Sequence, residues 1–253
     1  MMEIIQSVTN EKIKKLRKLR QKKYRDQRQL FIVEGVHLLE EALKSNCLKT
    51  IVTTDYHYQN EKYEIIYVSE KVMKTLSNYS SLSKYLAVCQ MLTNELDYQE
   101  RMIVLDDIQD PGNLGTIIRT SIAFKIKNVV LGLNCVDLYN PKVIQASQGA
   151  IFSVNVIRKD LLTYSTFLKE RDYLLIGTSL SVAKPLSMVA ETLKNREKTA
   201  FFFGNEGQGM NEQLLKKMDQ RYYIEIENID SLNVVCAVGI ILYQWGKKNS
   251  VFD

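Results

Sequence analysis

The chain has 253 residues, of which 45% are hydrophobic and 25% are charged. This balance is typical of a globular protein and excludes an intrinsically disordered chain, and the length predicts one large α/β domain or, as we expect, two smaller ones. The longest unbroken apolar stretch, Val234 to Tyr243, is about half as long as a bilayer-spanning helix. The N-terminus carries charge where a secretory signal has its apolar core. We therefore expect a cytoplasmic protein with no membrane segment.

The four cysteines are scattered along the chain, which has only two histidines. No two cysteines form a C-x-x-C pair, so the sequence indicates neither a zinc site nor a disulfide framework. We expect reduced, partly buried thiols and no bound metal.

Positive charge is concentrated near the N-terminus. Residues 11–28 contain ten Lys or Arg and two acidic residues, so this segment carries +8 while the rest of the chain carries −3 of the net +5. Apolar residues recur at helical spacing from Ile13 to Leu19, which predicts one helix ringed by cations. The alternative is a solvated helix face, but this density of cations with Tyr24 among them favours contact with RNA. The candidate RNA-binding residues are Lys14, Lys15, Arg17, Lys18, Arg20, Lys22, Lys23 and Arg25.

The rest of the N-terminal part alternates short strands and helices. The predicted strands are Leu30 to Val33, Leu48 to Thr53, Glu64 to Val68 and Tyr85 to Met91, and the predicted helices are Gly35 to Leu43 and Glu70 to Leu76. This pattern predicts a small α/β domain over residues 1–95. The polar stretch TNELDYQE, Thr93 to Glu100, separates it from a second domain over residues 101–253.

The second part alternates continuous apolar strands with helices. Its predicted strands are Met102 to Leu105, Asn128 to Leu131, Val154 to Ile157, Tyr173 to Thr178 and Ala200 to Phe203, with helices starting near Asn113, Asn140, Leu161 and Asn211. Such strands predict a parallel sheet covered on both faces. The last helix, Leu232 to Gly246, is apolar almost all round, so we expect it to be buried against the sheet or another subunit.

Two turns after predicted strands carry unusual residues, at the edge where ligands of open α/β sheets bind. In DDIQDPGNLGTIIRTS, Asn113 is expected to cap a helix and Arg119 lies in an otherwise apolar stretch. The apolar strand of AFFFGNEGQGM runs directly into Gly204 and two further glycines, a loop that exposes backbone N–H groups. Its G-x-x-G-x-G spacing matches neither dinucleotide nor phosphate-loop fingerprints, which disfavours nicotinamide and nucleoside-triphosphate enzymes.

A third turn, IDSLNVVCAVGIILYQW, precedes the last helix. Ser231 is predicted to be its N-cap. Asn233 lies in the first turn of a very apolar helix, so we expect its amide to be buried, to have a partner and to reach toward the glycine loops.

The three segments together resemble the SpoU, or TrmH-like, family of SPOUT RNA 2′-O-ribose methyltransferases. The family has N-x-G-x-x-x-R, G-N-E-G-x-G and S-L-N motifs in this order, which here are Asn113 to Arg119, Gly204 to Gly209 and Ser231 to Asn233. KVIQASQGAIF, Lys142 to Phe152, matches an intervening family segment, and FIVEGVHLLEEAL, from Phe31, resembles the start of the family's ribosomal-protein-like substrate-binding domain. Nearly the whole chain is covered.

The resemblance implies a trefoil knot in the C-terminal α/β domain, S-adenosylmethionine as methyl donor, and a homodimer. It implies a catalytic cluster of Asn113, Arg119, Glu206, Ser231 and Asn233. It also implies methyl-donor contacts by Gly204, Ile224, Leu232 and Asn233. The family has a proline and a glycine before S-L-N where this chain reads YYIEIENID, so Tyr223 or Ile226 are alternatives to Ile224.

The implied reaction is attack of a ribose 2′-hydroxyl on the sulfonium methyl of the donor, on structured RNA that we expect to be 23S rRNA. Arg119 is a poor general base because its guanidinium stays protonated, so we expect it to grip the target phosphate and stabilise charge on the attacking oxygen. Glu206 is expected to hold Asn113 or Arg119 by a charged hydrogen bond. The alternatives are a tRNA 2′-O-methyltransferase and a non-catalytic RNA-binding or ribosome-assembly protein that retains the fold.

Overall fold

A computed structural model describes residues 3–79, 83–93, 95–98, 101–179, 183–193, 196, 198–205 and 207–246. Contacts along the backbone divide the chain into two compact units. Unit 1 comprises residues 1–93 and 137–152, and unit 2 comprises residues 94–136 and 153–253. The segment 137–152, which the sequence analysis placed in the second domain, therefore has its contacts in unit 1.

Residues before 94 form a small α/β arrangement. Its strands are β1 (Ile4–Ile5), β2 (Leu30–Glu34), β3 (Leu48–Thr53), β4 (Glu64–Val68) and β5 (Tyr85–Gln90), and its helices are α1 (Glu11–Lys18), α2 (Lys22–Arg28), α3 (Val36–Lys44) and α4 (Glu70–Leu76). Strands β3 and β4 and helix α4 have the predicted bounds. Strands β2 and β5 differ from theirs by one residue at one end, and α3 differs by one residue at each end. Strand β1 was not predicted, because two residues are too few to show a period.

The strands of unit 1 form a mixed sheet in the order β1-β4-β3-β5-β2. The pairs β1/β4 and β3/β4 are parallel, whereas β3/β5 and β2/β5 are antiparallel. Ile13 and Leu19 are buried in one core cluster with Val72, Met73 and Leu76 of α4. Burial of these two side chains accounts for the amphipathic pattern of the basic segment.

The basic segment forms two helices, so the prediction of a single helix is wrong. Helix α1 ends at Lys18, and Gln21 is extended before α2 begins. The guanidinium of Arg25 donates hydrogen bonds to the carbonyl oxygens of Leu19 and Arg20 at 3.0 and 2.7 Å. These carbonyls lie at the break between the helices and therefore lack the backbone N–H donors of a continuous helix. The Arg25 guanidinium supplies N–H donors in their place.

The remaining described residues contain seven strands. They also contain six α-helices, each of four residues or more. The strands are β6 (Met102–Leu105), β7 (Asn128–Gly132), β8 (Asn155–Lys159), β9 (Leu174–Thr178), β10 (Lys184–Pro185), β11 (Thr199–Phe203) and β12 (Gln220–Tyr223). The helices are α5 (Pro111–Ala123), α6 (Pro141–Ser147), α7 (Leu161–Lys169), α8 (Val189–Thr192), α9 (Glu212–Leu215) and α10 (Val234–Gly246). Strands β10 and β12 were not predicted, since neither is a continuous apolar run.

The segment 137–152, which contains α6, is held in unit 1 by aromatic and charged side chains. The Tyr139 and Phe31 rings lie 4.6 Å apart between centroids. The hydroxyl of Tyr139 accepts a hydrogen bond from the backbone N–H of Leu92 at 2.8 Å. Asp137 forms an ion pair with the buried Arg25. These partners come from distant parts of the chain, so the sequence around residue 140 does not reveal them.

The sheet of unit 2 has the order β10-β12-β9-β11-β6-β7-β8. Every pair in it is parallel, which confirms the predicted parallel sheet. Strands β6, β7 and β11 are buried along their whole length. Parallel strands share one carboxyl edge, so the loops after β6, β11 and β12 all leave the sheet on the same side.

Helix α10 is only partly buried within the protomer. Val238, Ile241 and Trp245 are buried, whereas Ile240 and Tyr243 are 38% and 45% exposed. The expectation of a helix buried all round is therefore not met within one chain. In the described part of the chain, no helix has the length and apolar character needed to cross a membrane.

The four cysteines are free thiols. Cys47, Cys89 and Cys135 are buried, and Cys236 on α10 is exposed. In the described ranges, no three His, Cys, Asp or Glu side chains are grouped so that they could hold a metal ion.

Candidate functional site

Two of the three singled-out segments meet at the carboxyl edge of the unit 2 sheet. The side-chain amide of Asn233 donates to the Oδ1 atom of Asn113 at 3.4 Å. The two residues are 120 positions apart in sequence. The loop after β6 and the loop before α10 are thus in direct contact, as the predicted reach of Asn233 requires.

The loop after β6 is organised by Asp110. Its carboxylate accepts a hydrogen bond from the backbone N–H of Asn113 at 2.7 Å, and Pro111 occupies the first position of α5. Asp110 is therefore the N-cap, and the prediction that Asn113 caps this helix is wrong. Proline has no N–H to lose and a φ that suits a helix start, which is why α5 begins at Pro111.

The glycine loop closes on itself through backbone hydrogen bonds. The N–H and C=O groups of Asn205 and Gly209 exchange two bonds of 3.0 Å each. A Cβ atom on Gly204 would lie 2.6 Å from the carbonyl oxygen of Gly209, and closer still to the backbone nitrogen of Met210. No side chain fits there, so the close approach of the two backbones requires glycine at position 204.

Asn205 and Asp106 organise the same loop, and the sequence analysis did not single them out. The Asn205 amide donates to the carbonyl oxygen of Asp107 at 2.8 Å, and its Oδ1 accepts from the N–H of Gly207 at 2.8 Å. The Asp106 carboxylate accepts from the N–H of Asn211 at 2.9 Å, and burial raises the pKa of Asp106. An Asn directly after an apolar strand and before a turn was the available signal, because Asn side chains bond turn backbones.

Helix α10 begins at Val234, two residues later than predicted. Asn233 accepts a hydrogen bond from the N–H of Val235 at 2.8 Å and is the residue that caps the helix, so the prediction of Ser231 as N-cap is wrong. Asn233 is also exposed rather than buried. An exposed Asn at an N-cap satisfies a helix N–H while its amide group remains available for a contact with Asn113.

A cavity of about 580 Å³ lies beside these loops. Gly204, Ile224 and Leu232, three of the predicted donor contacts, line it, and so do the alternatives Tyr223 and Ile226. Asn233 does not line it, although its neighbours Leu232 and Val234 do. The volume is in the range of pockets for nucleoside-sized ligands, and the lining offers apolar side chains together with backbone of the glycine loop.

The predicted catalytic residues differ in their placement. Ser231 is exposed and lines the cavity. Arg119 is exposed on α5, and no described residue forms a hydrogen bond or ion pair with its guanidinium. Glu206 lies outside the described residues. The structure therefore joins Asn113 to Asn233 and sets Ser231 at the cavity, while Arg119 faces solvent.

Most of the predicted RNA-binding residues are exposed on α1 and α2. Lys14 forms an ion pair with Glu11 at 2.8 Å, and Lys22 pairs with Asp26. The residues that are exposed are Lys15, Arg17, Lys18, Arg20, Lys22 and Lys23. Arg25 is 4% exposed and bound to Asp137. The assignment of Arg25 to the RNA-binding face is corrected, since its guanidinium is used within unit 1.

Comparison with known proteins gives two family matches. Residues 100–243 match the SpoU rRNA Methylase family, and residues 10–87 match the MRM3-like substrate binding domain. Over 248 residues, the chain is 34% identical to the 23S rRNA (guanosine(2553)-2′-O)-methyltransferase RlmP of Bacillus subtilis strain 168, covering 96% of this chain and 98% of that protein.

Solved structures are similar over the same length. A putative RNA methyltransferase of the TrmH family from Porphyromonas gingivalis has a TM-score of 0.85 and 28% sequence identity. The similarity covers 96% of this chain and 100% of that one. An AdoMet-bound rRNA methyltransferase from Sinorhizobium meliloti has a TM-score of 0.87, with 99% of each chain covered. At 24% identity the second structure supports the fold alone.

The chain is an α/β protein with a closed glycine loop and a nucleoside-sized cavity at the carboxyl edge of a parallel sheet. The chain belongs to the SpoU rRNA Methylase family. This confirms the predicted SpoU/TrmH-like family and the predicted class of enzyme, an RNA methyltransferase.

Proposed function

We propose that this protein transfers a methyl group from S-adenosylmethionine to a ribose 2′-hydroxyl of 23S rRNA. The observation that carries the proposal is the Asn113–Asn233 contact beside the cavity lined by Gly204 and Leu232. The similarity to RlmP, whose name specifies 2′-O-methylation of 23S rRNA, supports this substrate class.

The residues that would hold the donor are those of the cavity wall. Ile224, Ile226 and Leu232 offer apolar surface for the nucleoside part, and the backbone beside Gly204 can approach a ligand without a side chain between them. When bound, the donor supplies an electrophilic methyl group on a sulfonium. The described site holds no histidine, so the chain acts mainly by positioning the hydroxyl against that methyl group.

Arg119 and the two asparagines are assigned to the RNA side of the reaction. A guanidinium has two parallel donors that fit a phosphate, and its positive charge stabilises the oxygen that gains negative charge. Asn113 and Asn233 would orient the ribose, Ser231 would hydrogen-bond at the cavity, and Glu206 would hold Asn113 or Arg119. These roles fit the exposure of Arg119, which is open to a large polyanionic substrate.

We assign residues 1–95 to an RNA-binding domain of the ribosomal-protein-like type and residues 101–253 to a donor-binding domain with a trefoil knot. The exposed cations of α1 and α2 support the first assignment, and the family match over residues 10–87 to a substrate binding domain agrees with it. The strand order of unit 2, with several non-consecutive neighbours, supports crossovers of the kind that a knot needs. A cytoplasmic location follows from a ribosomal RNA substrate.

The exposed face of α10 supports a homodimer. Ile240 and Tyr243 leave apolar surface open on a helix whose Val238, Ile241 and Trp245 are buried, and contiguous apolar surface of this kind is suited to cover by a partner. A second copy of the chain would cover it symmetrically.

The test combines donor binding with ribose methylation. Calorimetric titration with S-adenosylmethionine should show saturable binding, and mapping 2′-O-methylation in 23S rRNA from a deletion strain should show one lost modification. Donor binding with no lost rRNA modification but a lost tRNA modification would replace the substrate with tRNA. A folded protein with no donor binding would favour a non-catalytic RNA-binding protein.

A further inference from the structure

Glu225 lies in the stretch that follows β12 and forms part of the cavity wall. Its neighbours Ile224 and Ile226 both line the cavity, whereas Glu225 is exposed. The two isoleucines thus border the cavity, and the carboxylate between them in sequence does not.

The Glu225 carboxylate binds backbone N–H groups just beyond the point where the pairing of β10 with β12 ends. Strand β10 pairs with β12 through Lys184 and Pro185. The next backbone N–H groups, those of Leu186 and Ser187, donate to the two carboxylate oxygens of Glu225 at 3.0 and 3.4 Å. The hydroxyl of Ser187 donates to the same carboxylate at 2.7 Å. Three donors from one segment thus converge on a single side chain.

These hydrogen bonds favour the charged form of the carboxylate. The Ser187 hydroxyl, more than any other group, lowers the pKa of Glu225. The carboxylate is ionised at neutral pH, and hydrogen bonds to a charged acceptor are stronger than those to a neutral one. The arrangement ties residues 186–187 to the middle of the stretch that carries both isoleucines.

We propose that Glu225 is a positioning residue that sets Ile224 and Ile226 against the nucleoside part of the methyl donor by fixing the backbone between them. The inference rests on the proposed function, because it takes the cavity to be the donor site. A tethered wall loses less conformational freedom when the donor binds, which raises affinity without a direct contact.

Donor affinity in Glu225→Ala tests the proposal. We expect the Kd for S-adenosylhomocysteine, measured by calorimetry on the full-length protein, to rise about tenfold, the equivalent of one charge-assisted hydrogen-bond network. Ser187→Ala removes only the 2.7 Å bond, so it should weaken binding by about threefold. The double variant should bind no more weakly than Glu225→Ala, since the serine acts through the same carboxylate.

Glu227→Ala is the matched control, because it removes an exposed carboxylate two residues away and should leave the Kd unchanged. In Glu225→Ala, methyl transfer at saturating donor should stay within about twofold of the wild type, and RNA affinity should not change. Glu225→Gln keeps one acceptor oxygen without the charge and should recover part of the affinity.

An unchanged Kd in Glu225→Ala, or an equal rise of the Kd in Glu227→Ala, would overturn the inference. It would also be overturned if, in Glu225→Ala, both the methyl-transfer rate at saturating donor and the affinity for RNA fell as much as the affinity for the donor. The last result would assign Glu225 a general structural role. Absence of donor binding by the wild-type protein would instead contradict the proposed function, which keeps the two failures distinguishable.

Discussion

The two walls of the cavity are held in different ways. The glycine loop closes through paired backbone bonds between Asn205 and Gly209, with Gly204 packed directly on neighbouring backbone. The second stretch, from Tyr223 to Leu232, is held by side chains, with Glu225 near one end and the Asn233 cap just beyond the other. A wall made by backbone contact tolerates no added atom at the point where the two backbones meet. A wall tied by side chains should weaken in steps as each bond is removed.

Gly204→Ala tests the backbone-held wall and should have the largest effect. The added Cβ would meet backbone atoms that cannot rotate away, so we expect unit 2 to lose about 3 kcal/mol or more, at or above the usual cost of overpacking. Donor binding should become undetectable. Denaturant unfolding and calorimetric titration measure the two effects.

Gly207→Ala is the control for that substitution. A Cβ on Gly207 would have its nearest neighbour, the Asn205 side-chain oxygen, at 3.6 Å, an ordinary contact. Its stability and donor affinity should stay close to those of the wild type. Equal effects of the two substitutions would show that the loop is sensitive to any added methyl group and would remove the argument from close packing.

Arg119→Lys separates catalysis from donor binding, because Arg119 belongs to neither wall of the cavity. The substitution keeps the charge but loses the planar, two-point grip on a phosphate. Single-turnover methyl transfer to transcribed rRNA should fall by about 10²-fold, the usual loss of a positioned electrostatic donor. Donor affinity should be unchanged, since Arg119 does not line the cavity.

Arg171→Lys is the matched control for Arg119→Lys. Arg171 is an exposed arginine of unit 2 that stacks on Phe167, and its replacement should leave the methyl-transfer rate intact. A near-normal rate in Arg119→Lys would mean that charge alone suffices. Full activity in Arg119→Ala would remove the residue from the site.

Asn233 tests the side-chain-held wall and should give the smallest effect. Asn233→Ala loses both the helix cap and the Asn113 contact, so we expect a loss of about 1 kcal/mol in stability and about a tenfold fall in methyl transfer. Asn233→Ser keeps a capping oxygen but is too short to reach Asn113. It should restore thermal stability and leave the rate low; recovery of both would assign Asn233 a capping role only.

The local pattern of the sequence was sufficient for most of the fold. Strands β3, β4 and β6 and helix α4 have the predicted bounds, because an apolar run or a helical period depends on neighbouring residues. The three motifs, in their order along the chain, were sufficient to identify the family. The short β1, β10 and β12 were missed, since strands of two to four residues without an apolar run carry no period of their own.

The glycine loop could be named from the sequence, because three glycines within six residues after an apolar strand indicate a backbone-lined turn. The role of Asn205 in holding this loop could not be predicted from the sequence, because the carbonyl oxygen that it binds, that of Asp107, is 98 positions away. The predicted donor contacts Gly204, Ile224 and Leu232 all line one cavity. Their convergence depends on the strand order of the sheet.

The features that follow from local sequence alone are the strands, the helices, the basic segment and the need for glycine at a tight turn. Three further features are visible only in the folded chain: Arg25 is buried on Asp137, Asn233 is an exposed cap against Asn113, and Glu225 ties down a cavity wall. All three have the same cause. The partner is contributed by a distant part of the chain, and hydrogen bonds and ion pairs between distant residues form no repeat that a sequence pattern can display.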